Sequence, residues 1–348
     1  MSRPTLEAVA ARAGVSRATV SRVVNGGAGV RGSVADRVRA VVAELGYVPN
    51  PAARTLVTRR TGAVAVIIDE PGSRVFSDPF FSRQLRGIGR DLAARDTQLV
   101  LLLAEGPDDH ARISRFLAGG HVDGVLAFSL HAGGPLPGMI ARTGLPAVYG
   151  GRPHWSAPGP APLYVDADNR AGARAAVRHL LGLGRRRIAH LAGPQDQTSA
   201  ADRLAGYRDA LPPGMPERVA PGDFTVEGGL AAMRRLLADR PGPAPDAGPD
   251  AVFAANDLMA SGAIRALREH GRTVPGDVAV VGFDDTEGVA TATDPPLTTV
   301  RQDVEGMGGH MARLLLDTLA APAPASAQDA PPATPLITPT LLVRRASA

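Results

Sequence analysis

The chain has 348 residues, enough for two or three domains, with 44% hydrophobic and 4% aromatic residues. It contains neither cysteine nor lysine, and its 38 basic residues are all arginine. That excludes disulfides, thiolate metal sites, Schiff-base chemistry and the lysine of a phosphate-binding loop. Net charge is +4, yet residues 1–60 hold ten arginines against Glu7, Asp36 and Glu44, a local +7 that leaves −3 for the remainder. A small basic head on a mildly acidic body suits a polyanion.

Thr5 to Ala13 predicts a short helix capped by Thr5, with Leu6, Val9 and Ala10 on one face and Gly14 as its stop. Ser16 caps a second helix that runs to about Asn25, turning Val20, Val23 and Val24 inward. A third covers roughly Ser33–Leu45, striped by Val34, Val38, Val41 and Leu45. Two short helices about a tight glycine turn, with a third beneath them, follow the helix-turn-helix plan. Pro49, Asn50 and Pro51 then interrupt the chain. The segment Ala52–Val57 could be helical but is too short to stand alone.

From Gly62 apolar runs alternate with amphipathic helices. Strands are expected at Ala63–Ile68, Gln98–Leu103, Gly124–Phe128, Ala147–Tyr149, Arg187–Leu191, Ala251–Ala254 and Val278–Gly282. Helices fall between them, as at Ser82–Arg95, Arg170–Leu181 and Asp257–His270. This alternation predicts parallel, doubly wound α/β sheets. The Pro/Gly-rich stretches 153–162, 241–250 and 321–335 read as surface loops. No run of about 18 apolar residues occurs, and Met1-Ser2-Arg3-Pro4 opens no signal-peptide core, so the cytoplasm is expected.

The segment Thr5-Leu6…Val9-Ala10…Ala13-Gly14-Val15-Ser16…Thr19-Val20-Ser21-Arg22-Val23-Val24-Asn25, with Leu45-Gly46-Tyr47-Val48-Pro49-Asn50, resembles the LacI/GalR family of bacterial repressors. The likeness continues through Leu191-Ala192-Gly193-Pro194, Arg203-Leu204-Ala205-Gly206-Tyr207, Ala255-Asn256-Asp257, Val281-Gly282-Phe283-Asp284-Asp285 and Pro296-Leu297-Thr298-Thr299-Val300-Arg301-Gln302-Asp303. The resemblance implies an all-α helix-turn-helix domain at 1–48, a hinge helix at 49–61 and a two-lobed body like periplasmic sugar-binding proteins at 62–346. Its first lobe is expected at about 62–162 with 301–325, and its second at about 163–300 with 326–346.

The same resemblance places Arg17, Ala18 and Arg22 at base edges, where arginine reads guanine bidentately and Ala18 can at most touch a thymine methyl. Thr5, Ser16, Thr19, Ser21 and Asn25 join the DNA set, most of them as phosphate contacts that fix register. From the hinge come Asn50, Ala53 and Leu56, the last matching a leucine that wedges between base steps in the minor groove. In the body, Arg203, Asn256 and Asp284 are expected to bind effector hydroxyls and Phe224 to stack. Phe80, in Asp78-Pro79-Phe80-Phe81, resembles the first-lobe ligand loop; Ser129 and Gln302 complete the set. Gly150-Gly151-Arg152 departs from members with an acidic residue there, and Val304 from members with an aromatic.

The implied function is a dimeric, sugar-responsive repressor of a palindromic operator, with no cofactor and no membrane partner. An activator or dual regulator would share this architecture. A solute-binding protein would have no use for residues 1–60. An enzyme is not expected: Gly182-x-Gly184 lacks the third glycine of a dinucleotide loop, and neither HExxH nor GxSxG occurs. The eight histidines are scattered, and His190, within a strand, reads as a core residue.

Overall fold

The computed structural model describes residues 4–24, 29–48, 60–154, 161–238, 248–321 and 334–348. Its contacts divide the chain into two compact units, the first ending at Ala63 and including 120–123, the second holding Val64–Gly119 and Gly124–Ala348.

The first unit contains α1 (Leu6–Ala13), α2 (Arg17–Val24) and α3 (Gly32–Leu45). Thr5 Oγ1 accepts from the Ala8 amide at 3.3 Å, and Gly14, at φ 66°, closes the helix in the left-handed conformation that glycine adopts without strain. Ser16 Oγ accepts from the Thr19 amide at 3.2 Å, so the expected second cap is formed. The stripes meet in a core of Val9, Ala10, Ala13, Val20, Val38, Val41 and Tyr47. Arg12 and Glu44, 2.6 Å apart, tie α1 to α3 at the surface.

The second unit contains two six-stranded sheets. The first runs β11 (Leu336–Thr338), β5 (Leu163–Ala167), β4 (Ala147–Gly150), β3 (Gly124–Phe128), β1 (Ala63–Ile68), β2 (Gln98–Leu103). The second runs β12 (Leu341–Val343), β10 (Thr298–Arg301), β9 (Ala279–Asp284), β8 (Ala251–Ala254), β6 (Ile188–Ala192), β7 (Val219–Pro221). Pairing is parallel at β1–β3, β3–β4, β4–β5, β6–β8, β8–β9 and β9–β10, and antiparallel where β12 returns beside β10. Strands buried on both faces, such as Val64–Ile68, explain their unbroken apolar sequences.

Helices α4 (Gly72–Ser77), α5 (Pro79–Ala93), α6 (Pro107–Ala118) and α7 (Leu136–Thr143) alternate with the first sheet. Helices α8 (Asn169–Gly182), α9 (Thr198–Ala210), α10 (Val226–Ala238) and α11 (Asp257–Glu269) alternate with the second. Helix α12 (Val304–Ala320) follows β10 yet packs on α5, β3, β4 and β5 of the first sheet.

The lobe boundaries need correction. Leu163–Ala167 and Leu336–Thr338, both expected in the second lobe, belong to the first sheet, because β5 extends β4 in parallel register and β11 extends β5. The chain therefore crosses between lobes after Ala167, after Arg301 and between Thr338 and Leu341. Helix α5 begins at Pro79 rather than Ser82, since Asp78 caps it through the Phe80 amide at 2.9 Å and Pro79 takes the first turn. His190 is a core residue: its Nδ1 pairs with the Phe253 carbonyl at 2.9 Å, and burial pushes its pKa down to about 4.

Candidate functional site

In the first unit, Ser16, Arg17, Ala18 and Arg22 are exposed along α2, and Thr19 and Ser21 are half-buried beside them. The Ser16 and Thr19 hydroxyls lie 2.9 Å apart. Arg17 pairs with Glu7 at 3.0 Å, both largely solvated, so the guanidinium is released at little cost. Thr5 is exposed at the start of α1. Asn25, Asn50, Ala53 and Leu56, and with them the expected hinge helix, lie outside the described residues.

In the second unit a cleft of about 760 Å³, counted to its open mouth, collects every effector residue expected: Phe80, Ser129, Arg203, Phe224, Asn256, Asp284 and Gln302. Most of them sit where chain leaves the carboxyl ends of strands, the usual ligand position in open α/β sheets. Ser129 follows β3, Phe224 follows β7, Asn256 follows β8, Asp284 ends β9 and Gln302 follows β10. Ser129 (φ 58°), Phe224 (φ 65°) and Asp284 (φ 101°) all hold backbone conformations unfavourable for residues with a Cβ. Strain gathered in one cleft marks a built site.

The floor of the cleft is a continuous polar chain. Gln302 Nε2 donates to Asp284 Oδ1 at 2.6 Å, and Arg203 Nη2 lies 3.3 Å from the same oxygen. Arg203 Nε donates to Asn169 Oδ1 at 2.9 Å, and Asn169 Nδ2 to Asp166 Oδ1 at 3.0 Å. Arg203 also donates to the Ala255 carbonyl and lies 3.7 Å over the Phe283 ring. Burial pushes the Asp284 carboxyl up to about 6 despite the adjacent guanidinium. Both of these contacts end on Oδ1.

Aromatic residues contribute to the walls, with Arg74 lying 5.5 Å and Arg203 5.7 Å from the Phe224 ring centroid. Phe80, Phe81, Phe128 and Phe224 all line the cleft, half of the chain's eight phenylalanines. In a chain with so few aromatics, that concentration points to a ligand with apolar faces and polar edges. Asn256 serves first as scaffold: it caps α11 through the Met259 amide and donates to the Phe224 carbonyl, each at 2.9 Å. It thereby holds the Phe224 backbone.

Sequence reasoning missed Arg74, Gln84, Asp166, Asn169 and Gln197, which also line the cleft, as does Arg152, noted from the sequence only as a departure from other members. Gln84 Oε1 and Arg74 Nε are buried without a partner. Asp166 and Asn169 escape a reading of the sequence because β5, which carries Asp166 and leads into α8 at Asn169, is a short strand that gives no clear periodicity. Among the described residues no helix is long and apolar enough to cross a membrane, and no cluster of acids and histidines could hold a metal ion.

Residues 5–50 match the model of bacterial regulatory proteins, lacI family, and residues 177–348 that of the periplasmic binding protein-like domain. The chain is 51% identical over 321 residues to the HTH-type transcriptional regulator CelR of Thermobifida fusca, covering 91% of this chain and 92% of that one. It is 34% identical over 333 residues to the ribose operon repressor of Escherichia coli K12, covering 91% and 94%. Among solved structures, a transcriptional regulator CelR–cellobiose complex superposes with TM-score 0.75 at 45% identity, over 99% of this chain and 100% of that one. The Lac repressor dimer bound to operator and the anti-inducer ONPF gives 0.81 at 28% identity, over 99% of each.

Proposed function

The chain belongs to the lacI family of bacterial regulatory proteins, and from that premise we propose that it is a repressor whose effector is a β-linked glucose disaccharide of the cellobiose class. It acts as a sequence-specific DNA-binding dimer whose operator affinity a small sugar controls.

One observation carries the effector reading: a buried Asp284, held by Arg203 and Gln302, shares a cleft with the ring of Phe224. A sugar hydroxyl needs a fixed charged acceptor, and its C–H face needs an aromatic wall. The likeness to the CelR–cellobiose complex narrows the class. Arg203, Asn256 and Gln302 orient these groups, while Phe80 and Ser129 approach from the first lobe. On the DNA side, Arg17 and Arg22 read guanines and Ala18 allows close approach. Thr5, Ser16, Thr19, Ser21 and Asn25 meet phosphates, and Asn50, Ala53 and Leu56 act from the hinge.

The test is fluorescence anisotropy with palindromic DNA from upstream of the protein's own gene, with and without cellobiose, ribose being the control sugar. Saturable binding that cellobiose shifts about tenfold supports the reading. DNA binding indifferent to sequence rejects the repressor, and indifference to cellobiose rejects the effector class.

A further inference from the structure

Where Arg74, Ser129 and Gln197 line the cleft, they meet a polar cluster whose Glu70, His131 and Asp196 none of these roles uses. Glu70, 4% exposed, follows β1. Its Oε1 accepts from Arg74 Nη1 at 2.8 Å and from Ser129 Oγ at 2.6 Å, both in the first lobe. It also accepts from Gln197 Nε2 at 2.8 Å, a residue that follows β6 of the second lobe. His131, two residues past Ser129, places Nδ1 2.7 Å from Asp196 Oδ2 and Nε2 3.3 Å from Glu70 Oε1. The Ala132 amide donates to the Asp196 carbonyl at 2.7 Å. Gln197 Nε2 also lies 3.4 Å from Ser129 Oγ and 3.1 Å from His131 Nε2. Five contacts therefore join the lobes in this cluster, in addition to the chain crossovers. Beside it Arg152 of the first lobe pairs with Asp202 of the second at 2.7 Å, and its carbonyl accepts from Thr198 Oγ1 at 2.6 Å.

We propose that Glu70, His131 and Asp196 form a clasp that fastens the two lobes in the closed state and positions Ser129 and Gln197 at the cleft wall. The imidazolium is the part that makes the clasp two-sided. Protonated, it donates from both nitrogens, one to a carboxylate of each lobe; neutral, it donates from only one. Glu70 is the main reason the ring stays charged: its hydrogen bond, with that of Asp196 added, lifts the His131 pKa to about 9. The charged groups facing the ring are Glu70 and Asp69 from the end of β1 and Asp196 on the loop before α9, while Arg74 on α4 faces Glu70. Because the pKa is raised in the closed form, the clasp is complete at neutral pH and is lost as pH rises through about 9. With no lysine or cysteine in the chain, and with Tyr149 pushed up to about 12, few other groups titrate in that window.

The positioning of Ser129 and Gln197 bears on the effector and rests on the function proposed above; the clasp itself does not. The absence of native cysteine allows a direct test. Spin labels at Ala118→Cys on α6 and Ala231→Cys on α10, both exposed positions, report the distance between lobes in sugar-free protein, with labelled chains diluted into unlabelled ones. The parent should hold a short distance at neutral pH and lengthen as pH passes about 9. His131→Ala should show the long distance throughout, with no pH response, and Asp196→Asn should move part of the way. His131→Ala should also weaken cellobiose binding in calorimetry about tenfold. An unchanged distance in His131→Ala, in protein that melts as the parent does, overturns the clasp. A parent that fails to bind cellobiose overturns the effector class alone, because the distance measurement needs no sugar.

Discussion

At the end of β9, Asp284 is buried in a left-handed conformation (φ 101°) with its carboxyl pushed up to about 6, desolvation outweighing Arg203. Between the unfolded value of 3.8 and about 6 the native state binds the extra proton, so the group favours folding at low pH and opposes it increasingly as pH rises to about 6. In the proposed function ligand binding runs the other way, since a sugar hydroxyl would donate to the carboxylate. Calorimetric affinity for cellobiose should therefore fall as pH drops through about 6. Asp284→Asn should flatten that dependence and weaken binding near neutrality by about 1.5–3 kcal/mol, the worth of a charged hydrogen bond. Retained affinity in this variant would remove Asp284 from the site. On α2, Arg17 gives up only its exposed pairing with Glu7. Arg17→Ala and Arg22→Ala should each cost about 1–3 kcal/mol of operator affinity and relax discrimination at one base pair, whereas Glu7→Gln should change little in the same titration.

Helix pairs in both lobes cross on glycines that leave no room for a side chain. A Cβ on Gly87 of α5 would stand 1.9 Å from the Glu305 carbonyl oxygen of α12, and one on Gly308 of α12 would stand 2.3 Å from that of Gln84. In the second lobe, Gly229 of α10 would meet Met259 of α11 at 2.2 Å, and Gly262 of α11 would meet Val226 at 2.1 Å. The obstacle is backbone in each case, so the helices must separate. Gly262→Ala should cost about 1–3 kcal/mol and lower the melting temperature by several degrees. Gly89→Ala, on α5 but with nothing within 4 Å of the new methyl, should leave it unchanged or raise it slightly. Equal melting of the two variants would refute the close-packed crossings. The same elements show what the sequence made legible. Val64–Ile68 and Gly124–Phe128 announce themselves as unbroken apolar runs, and Thr5, Ser16 and Gly14 as helix punctuation. Short strands such as Val219–Pro221, Thr298–Arg301 and Leu336–Thr338 carry too few alternations to declare a period, and their sheet is settled by distant partners. The cleft was legible where a motif carried it, as at Asp284 and Arg203. Glu70 and Gln197, 127 residues apart, gave no local signal, because only the folded sheets bring them together.

For the whole molecule, the charge division and the two lobes give DNA and sugar separable signatures. The basic head, net +7 over residues 1–60, releases counterions when it neutralises phosphates. With about six to ten phosphates engaged, operator affinity should fall by roughly 10³–10⁵ between about 50 and 200 mM salt. The proposed neutral disaccharide would displace no counterions from the cleft, so its affinity should stay nearly level over the same range. Linkage then sets a condition that no single-site assay can meet by accident. If cellobiose changes the operator dissociation constant by a factor, saturating operator must change the cellobiose dissociation constant by the same factor, typically about 5–150-fold. Anisotropy supplies the first factor and calorimetry on the protein–DNA complex the second, both at one salt concentration. Equal factors bind head and lobes into one conformational equilibrium. Cellobiose that binds tightly while leaving operator affinity untouched would make the cleft a sugar site without a regulatory role, because a ligand with equal affinity for both states shifts neither.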